Sequence, residues 1–263
     1  MLFPRSFLRR HRWVALLSVL LAFALALPGD AGAETKKRKS SQSGKKSSSK
    51  SKGSKSSGKN RKGRGSRRSR GFVEPSFTVP DIRRGFQTVI IDAGHGGHDR
   101  GGIDGQTIAE KEIALDTALR LEQLLRRAGF RTVMTRSTDD FISLPGRVAT
   151  ANASSNSIFV SVHYNSSRNL DARGFETYYY HAAGYPLAAR IHRNLLATLP
   201  TEDRGIRRRG FYVIRNSRIP AVLCECGFLT NAIEGNAALG RGYRQKVAEA
   251  IAKAVVETRR EGG

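Results

Sequence analysis

The chain has 263 residues, and its 46 Lys and Arg against 22 Asp and Glu give a formal net charge of +24. That length allows one large domain or two small ones, and two cysteines at i and i+2 exclude a disulfide-stapled scaffold. The charge is unevenly spread, so it marks a segment of the chain and not a basic protein throughout.

Residues 1–33 read as an export signal. Four arginines precede a fifteen-residue apolar run at 13–27, and Ala31, Gly32 and Ala33 supply the small side chains that suit cleavage. Such a run is shorter than the roughly 20 residues needed to span a bilayer. The mature chain is expected to begin at Glu34, with a retained N-terminal anchor as the alternative. Either way the remainder is exported, to the periplasm or to the cell wall and the extracellular side.

Residues 34–70 hold sixteen basic side chains and one acid, Glu34, a charge of +15. Nothing there can bury an apolar face and like charges repel, so the segment reads as a disordered basic linker. For an exported chain the polyanions within reach are anionic envelope polymers and lipid head groups, with no nucleic acid expected; a solvated spacer is the plain alternative.

Residues 71–263 then form one domain, large enough for a substantial core. Its apolar patterns alternate in period, which predicts an α/β architecture. TVII at 88–91 is a continuous β-branched run, as in a strand covered on both faces. Apolar residues recur at three and four positions over 109–128, before Gly129, and predict a helix. A strand is expected at 131–135, a shorter helix near 144–153, and strands at 157–163 and 175–181. A helix around 186–198, strands at 211–215 and 221–226, and a closing amphipathic helix near 241–259 complete the domain.

Chemistry-bearing residues fall at strand ends, where open α/β sheets gather their sites. DAGHGGHDRGG at 92–102 follows the first strand. It is not a phosphate loop, because the sixth position of the glycine pattern is Asp99 and no Walker motif exists. His95 and His98 lie in it, His163 ends the SIFVSV strand, and His181 and His192 are further on. A hydrolytic zinc site needs three ligands from His, Glu or Asp, but spacing alone does not choose among them. His192 beside Arg190 and Arg193 is expected to face solvent, and His181 to be a surface residue. Glu225 is the lone acid in the apolar stretch AVLCECGF, a position that raises the prospect of acid–base work. Strand alternation turns Cys224 and Cys226 away from it, as small core residues.

These stretches resemble the zinc-dependent N-acetylmuramoyl-L-alanine amidases of the Amidase_3 type. The resemblance rests on DAGHGG-x-D-x-G at 92–101, the Glu110-Lys111 pair, S-V-H-x-N at 161–165 and PAVLCECGFLTN at 220–231. Arg136, Leu144, Arg147, Ala151 and Asn152 match weaker positions, and the likeness covers roughly 86–259. It implies a mixed, mainly parallel sheet with helices on both faces. It implies Zn2+ held by His95, Glu110 and His163, with Glu225 as the catalytic glutamate and Asn165 as a substrate contact. Glu112 competes with Glu110 on proximity, but Glu110 fits the register. The implied substrate is peptidoglycan, at the amide between N-acetylmuramic acid and L-alanine. His98 occupies the variable position of its motif and is expected at the rim.

Overall fold

The computed structural model describes residues 76–82 and 85–261. The export signal and basic linker expected at 1–33 and 34–70 lie outside the described residues. Six strands, β1 (Thr88–Ala93), β2 (Arg131–Met134), β3 (Ser157–Asn165), β4 (Phe175–Tyr179), β5 (Asp203–Arg208) and β6 (Ala221–Phe228), make one sheet. Their order is β2-β1-β3-β6-β4-β5. The β1, β2, β3 and β6 strands pair in parallel, β4 runs antiparallel to β6, and β5 is parallel to β4. The sheet is therefore mixed and mainly parallel.

Helices α1 (Glu110–Arg127) and α3 (Tyr185–Thr198) each pack on α6 (Arg241–Glu261), and all three cover one face of the sheet, while α2 (Leu144–Asn152) and α4 (Tyr212–Asn216) lie on the other. Strand alternation sorts the side chains into two cores. Val89, Ile91, Val160, Val162, Val222, Cys224 and Cys226 meet Leu121, Ile191 and Ile251 under the three long helices. Ile90, Phe159, Leu223 and Tyr178 meet Ile214 and Ala151 on the opposite face. Odd positions of β3 and β6 past this second core carry the polar groups of the site. Burying an aliphatic side chain of this kind contributes about 1.5–3 kcal/mol, so both faces of the sheet are fixed in register.

The elements expected from the sequence are present within a few residues, with three differences. Phe211–Arg215 is not a strand: Tyr212–Asn216 is the short helix α4, which buries Val213 and Ile214 against the sheet. The strand lies upstream at Asp203–Arg208, an exposed edge whose charged sequence DRGIRR hides its period. A further helix, α5 (Ala232–Leu239), starts at Asn231, whose side chain accepts from the Ile233 and Glu234 amides. Among the described residues no helix is long and apolar enough to cross a membrane.

Candidate metal centre

The loop after β1 bends sharply back over the sheet. His95 has φ 59°, a left-handed conformation that costs a non-glycine residue about 1–3 kcal/mol unless its surroundings impose it. Two buried arginines do so. Arg147 donates from Nη1 to the Ala93 carbonyl at 2.6 Å and from Nη2 to the His95 carbonyl at 2.6 Å. Arg136 donates to the Ala93 and Gly94 carbonyls at 3.0 and 2.6 Å. Arg147 in turn pairs with Asp92, which is fully buried and also accepts from Thr135 and Ser161. Burial pushes the Asp92 carboxyl up, but the Arg147 charge and these hydrogen bonds hold it below the usual carboxylate value. Glycine is required where the loop meets its neighbours. A Cβ on Gly94 would sit 2.6 Å from His163 Nδ1, and one on Gly101 (φ 70°) would sit 2.6 Å from Glu110 Oε2.

This loop, the first turn of α1 and the end of β3 bring His95, Glu110 and His163 together. One nitrogen or oxygen atom from each lies within 4.8 Å of the others. His95 Nε2 is 3.1 Å from Glu110 Oε2, and His163 Nδ1 is 2.9 Å from Glu110 Oε1. The other nitrogen of His95 is held by Asp99 Oδ2 at 2.9 Å, the kind of outer contact that orients a ligating imidazole. Burial opposes charge on all three, yet the mutual hydrogen bonds win. Burial alone would lower His95, but Glu110 and then Asp99 raise it to about 9; burial likewise opposes His163, which Glu110 raises. Glu110 is held well below the ordinary value by the two imidazoles, despite its burial. Two imidazole nitrogens and a carboxylate oxygen thus converge on one point, an arrangement that a divalent cation fits once the imidazoles are neutral.

Glu225 stands next to this cluster. It pairs in register with His163 on one side and with Glu176 of β4 on the other. Its Oε2 is buried and has no hydrogen-bond partner among the described residues. Burial, together with the nearby Glu110 and Glu176 charges, raises its pKa despite the opposing pull of His163. Asn165, two residues beyond His163, donates to Glu176 Oε2 at 3.1 Å. A cavity of about 170 Å³ opens beside His95 and His163, walled by Phe141, Leu144, Phe211 and Tyr212.

Residues 89–257 match the family described as N-acetylmuramoyl-L-alanine amidase. The chain belongs to the N-acetylmuramoyl-L-alanine amidase family. It is 41% identical over 169 residues to the N-acetylmuramoyl-L-alanine amidase LytC of Bacillus subtilis, covering 63% of this chain and 34% of LytC. The chain therefore spans about a third of that relative's length. It is also 40% identical over 173 residues to YqiI of the same organism, covering 64% of this chain and 83% of YqiI. Among solved structures it is similar to the catalytic domain of CwlV, an N-acetylmuramoyl-L-alanine amidase from Paenibacillus polymyxa. That match has a TM-score of 0.62 at 38% identity over 65% of this chain and 97% of the other. The amidase AmiC2 of Nostoc punctiforme gives a TM-score of 0.61 at 37% identity, over 65% of this chain and 95% of that one.

The remaining candidates of this amidase domain lie apart from the cluster. Glu112 is exposed on α1. His98 packs against Phe141 at the rim, the rings tilted by 35° with centroids 4.1 Å apart. His181 is half-buried, with Nε2 2.8 Å from the Arg215 carbonyl oxygen. His192 does not face solvent: it is 5% exposed, held between Thr177 Oγ1 at 3.0 Å and Asp203 Oδ1 at 2.8 Å. The helical spacing of Ala188, Ile191, His192 and Leu195 carried that signal, since all four line the buried face of α3. Cys224 and Cys226 are free and buried. Glu176 and Glu234, both buried carboxylates, have no motif to announce them; Glu234 accepts from the Gly174 and Phe228 amides.

Proposed function

We propose that the domain holds Zn2+ through His95, Glu110 and His163 and hydrolyses the amide between N-acetylmuramic acid and L-alanine in peptidoglycan. The observation that carries this reading is the buried, unpartnered Oε2 of Glu225, in register beside three converging ligand atoms. When bound, Zn2+ supplies Lewis acidity, polarising the scissile carbonyl and lowering the pKa of water toward about 7. Glu225 accepts the proton of the attacking water and returns it to the departing L-alanine amine, so that one carboxylate serves as base and then acid. Its free Oε2 is the atom for that transfer. Asn165, whose amide donates to Glu176 and accepts from the Ser166 N–H, presents its second N–H to the substrate. Glycines at 94 and 101 let the chain approach the ligands closely.

The same reading extends to the ends of the chain. Residues 1–33 direct export to the periplasm or the cell wall, and the basic segment 34–70 attracts anionic envelope polymers or lipids, an attraction that salt weakens. Residues 71–263 form the catalytic unit.

Mass analysis of digested peptidoglycan tests the reaction. Released peptides should begin with a free L-alanine amine, and cuts inside the stem peptide would point to a peptidase instead. Glu225→Gln should lower kcat by about 10²- to 10⁴-fold while the protein still binds one zinc ion. Unchanged hydrolysis in that variant would overturn the mechanism.

A further inference from the structure

The edge strand β5 carries a distortion that the fold alone does not need. Between Phe175 and Thr177 the β4 strand advances two residues, while β5 advances three, from Asp203 to Ile206. Gly205, with φ 87°, takes up the extra residue. In a regular strand residues 204 and 207 would point to opposite faces. The bulge turns both to the face that carries the site, as bulges near functional clefts re-aim side chains. Arg204 Nε lies 2.9 Å from Glu176 Oε1, and Arg207 Nη2 lies 4.0 Å from the same oxygen. Ile206, in register with Thr177, packs into the opposite core, and Arg207, in register with Tyr178, shares the face of the site.

Two guanidinium groups therefore meet one carboxylate. Glu176 is buried and balances one of them, leaving a positive charge in excess. Arg204 is the more covered, at 32% side-chain exposure, and also lies over the Phe228 ring. Arg207 is 45% exposed, and its Nε and Nη2 are tied to the Arg204 carbonyl at 3.2 and 3.0 Å. Its Nη1 makes no hydrogen bond among the described residues. A fork anchored along one edge and open along the other suits a carboxylate in solution.

The position of this fork fixes what reaches it. Glu225, Glu176 and the arginines lie on successive strands, β6, β4 and β5. Two strand spacings of about 4.8 Å put β5 roughly 10 Å from the strand of the proposed base. An extended peptide advances about 3.3–3.6 Å per residue, so roughly three residues cover that gap. A stem peptide leaving the site toward β5 presents its second and third residues there.

We propose that Arg207, aimed by the Gly205 bulge and steadied by the Glu176–Arg204 pair, binds a free carboxylate on the second or third residue of the stem peptide. This rests on the amidase reading above and names the acidic peptide group that the site selects. Because Arg207 is partly exposed, the contact is at the modest end of charge-assisted bonds, on the order of tenfold in kcat/KM.

The test uses the full-length, zinc-loaded protein and three soluble muramoyl tripeptides. One keeps both carboxylates, one has a carboxamide on the second residue, and one has a carboxamide on the third. Wild type should prefer the free acid by about tenfold, carried by KM with kcat little changed, and the arm that loses the preference names the residue read. Arg207→Gln should bring that ratio close to one, and Arg207→Lys should retain part of it. Circular dichroism and thermal melting of both variants establish that the fold is kept. Calorimetry of the free tripeptides on the metal-free protein gives the same comparison without turnover. Equal kcat/KM on all three substrates, or a preference that survives Arg207→Gln, overturns the proposal. Absence of cleavage at the muramoyl–alanine bond in every substrate overturns the amidase reading instead, and the calorimetry then still decides whether Arg207 binds the carboxylate.

Discussion

Replacing Asp92 by Asn probes the support beneath the ligand loop. The Asp92 side chain has no solvent exposure and accepts from Arg147 at 2.6 Å, Thr135 at 2.7 Å and Ser161 at 2.6 Å. Asn has the same shape, and its amide can still accept from Arg147 and Thr135 and donate to the Ser161 hydroxyl. What disappears is the countercharge to a guanidinium that is itself 3% exposed. Leaving one partner of a buried pair uncompensated costs about 3–5 kcal/mol, a large share of the roughly 5–15 kcal/mol that holds a domain together. Urea unfolding at neutral pH, with zinc chelated so that metal binding does not contribute, should show that loss as a lower midpoint at unchanged slope. The pH dependence has a definite sign. Asp92 is depressed in the folded state, so its contribution is complete above the ordinary Asp value near 3.9 and fades as pH falls through the folded value. Wild type should therefore lose stability below about pH 4 more steeply than Asp92→Asn. A loss under about 1 kcal/mol at neutral pH, or identical acid limbs, would refute the view that this pair carries the loop.

Gly94→Ala would place a methyl 2.6 Å from His163 Nδ1; zinc affinity by competition with a chelator should fall at least tenfold, by displacement of a ligand whose own identity is unchanged. His98→Ala removes only the tilted ring contact with Phe141 at the rim, so zinc stoichiometry should stay at one and kcat/KM should fall by no more than a few-fold. His192→Phe leaves the buried Thr177 hydroxyl without its imidazole partner and leaves Asp203, at the start of β5, with only the Gly205 amide. It should cost about 1–3 kcal/mol in denaturant unfolding, with hydrogen exchange rising first at 203–208.

The parts of this site that the sequence announces are those attached to strong local patterns. His95, His163 and Glu225 each follow or end an apolar strand, so their placement at strand ends follows from periodicity alone. Glu110 needed the motif register, since proximity did not separate it from Glu112; in the structure only Glu110 turns inward, at 3% exposure. The groups that hold those four in place left weaker traces. Arg147 reaches Asp92 across 55 positions and Arg204 reaches Glu176 across 28, and no local period encodes such pairs. The β5 strand was hidden for a related reason: an exposed edge gains from charge on both faces and so loses the alternation that marks a strand. The apolar run at 211–215 looked like a strand because a single helical turn is too short to display a helical period.

The reversal of β4 accounts for much of what remains. Had β4 run parallel to β6, its C-terminal end would have lain with those of β1, β3 and β6, bringing His181 toward the candidate metal centre. Running antiparallel, β4 instead starts at that end, with Phe175 in register with Cys226 and Glu176 with Glu225, and finishes beside Val222 near the beginning of β6. His181 is thereby carried to the opposite end of the sheet, where it meets the Arg215 carbonyl and the Phe77 ring. The same reversal sets the buried carboxylate of Glu176 directly across from Glu225, an arrangement of like charges that is unfavourable unless one is neutralised. Arg204 supplies the neutralising charge, since it follows Asp203, whose register partner Phe175 faces the opposite core. One change of strand direction thus decides which histidine is excluded from the candidate metal centre, and why a strand as exposed as β5 delivers arginine to the acid beside the proposed base.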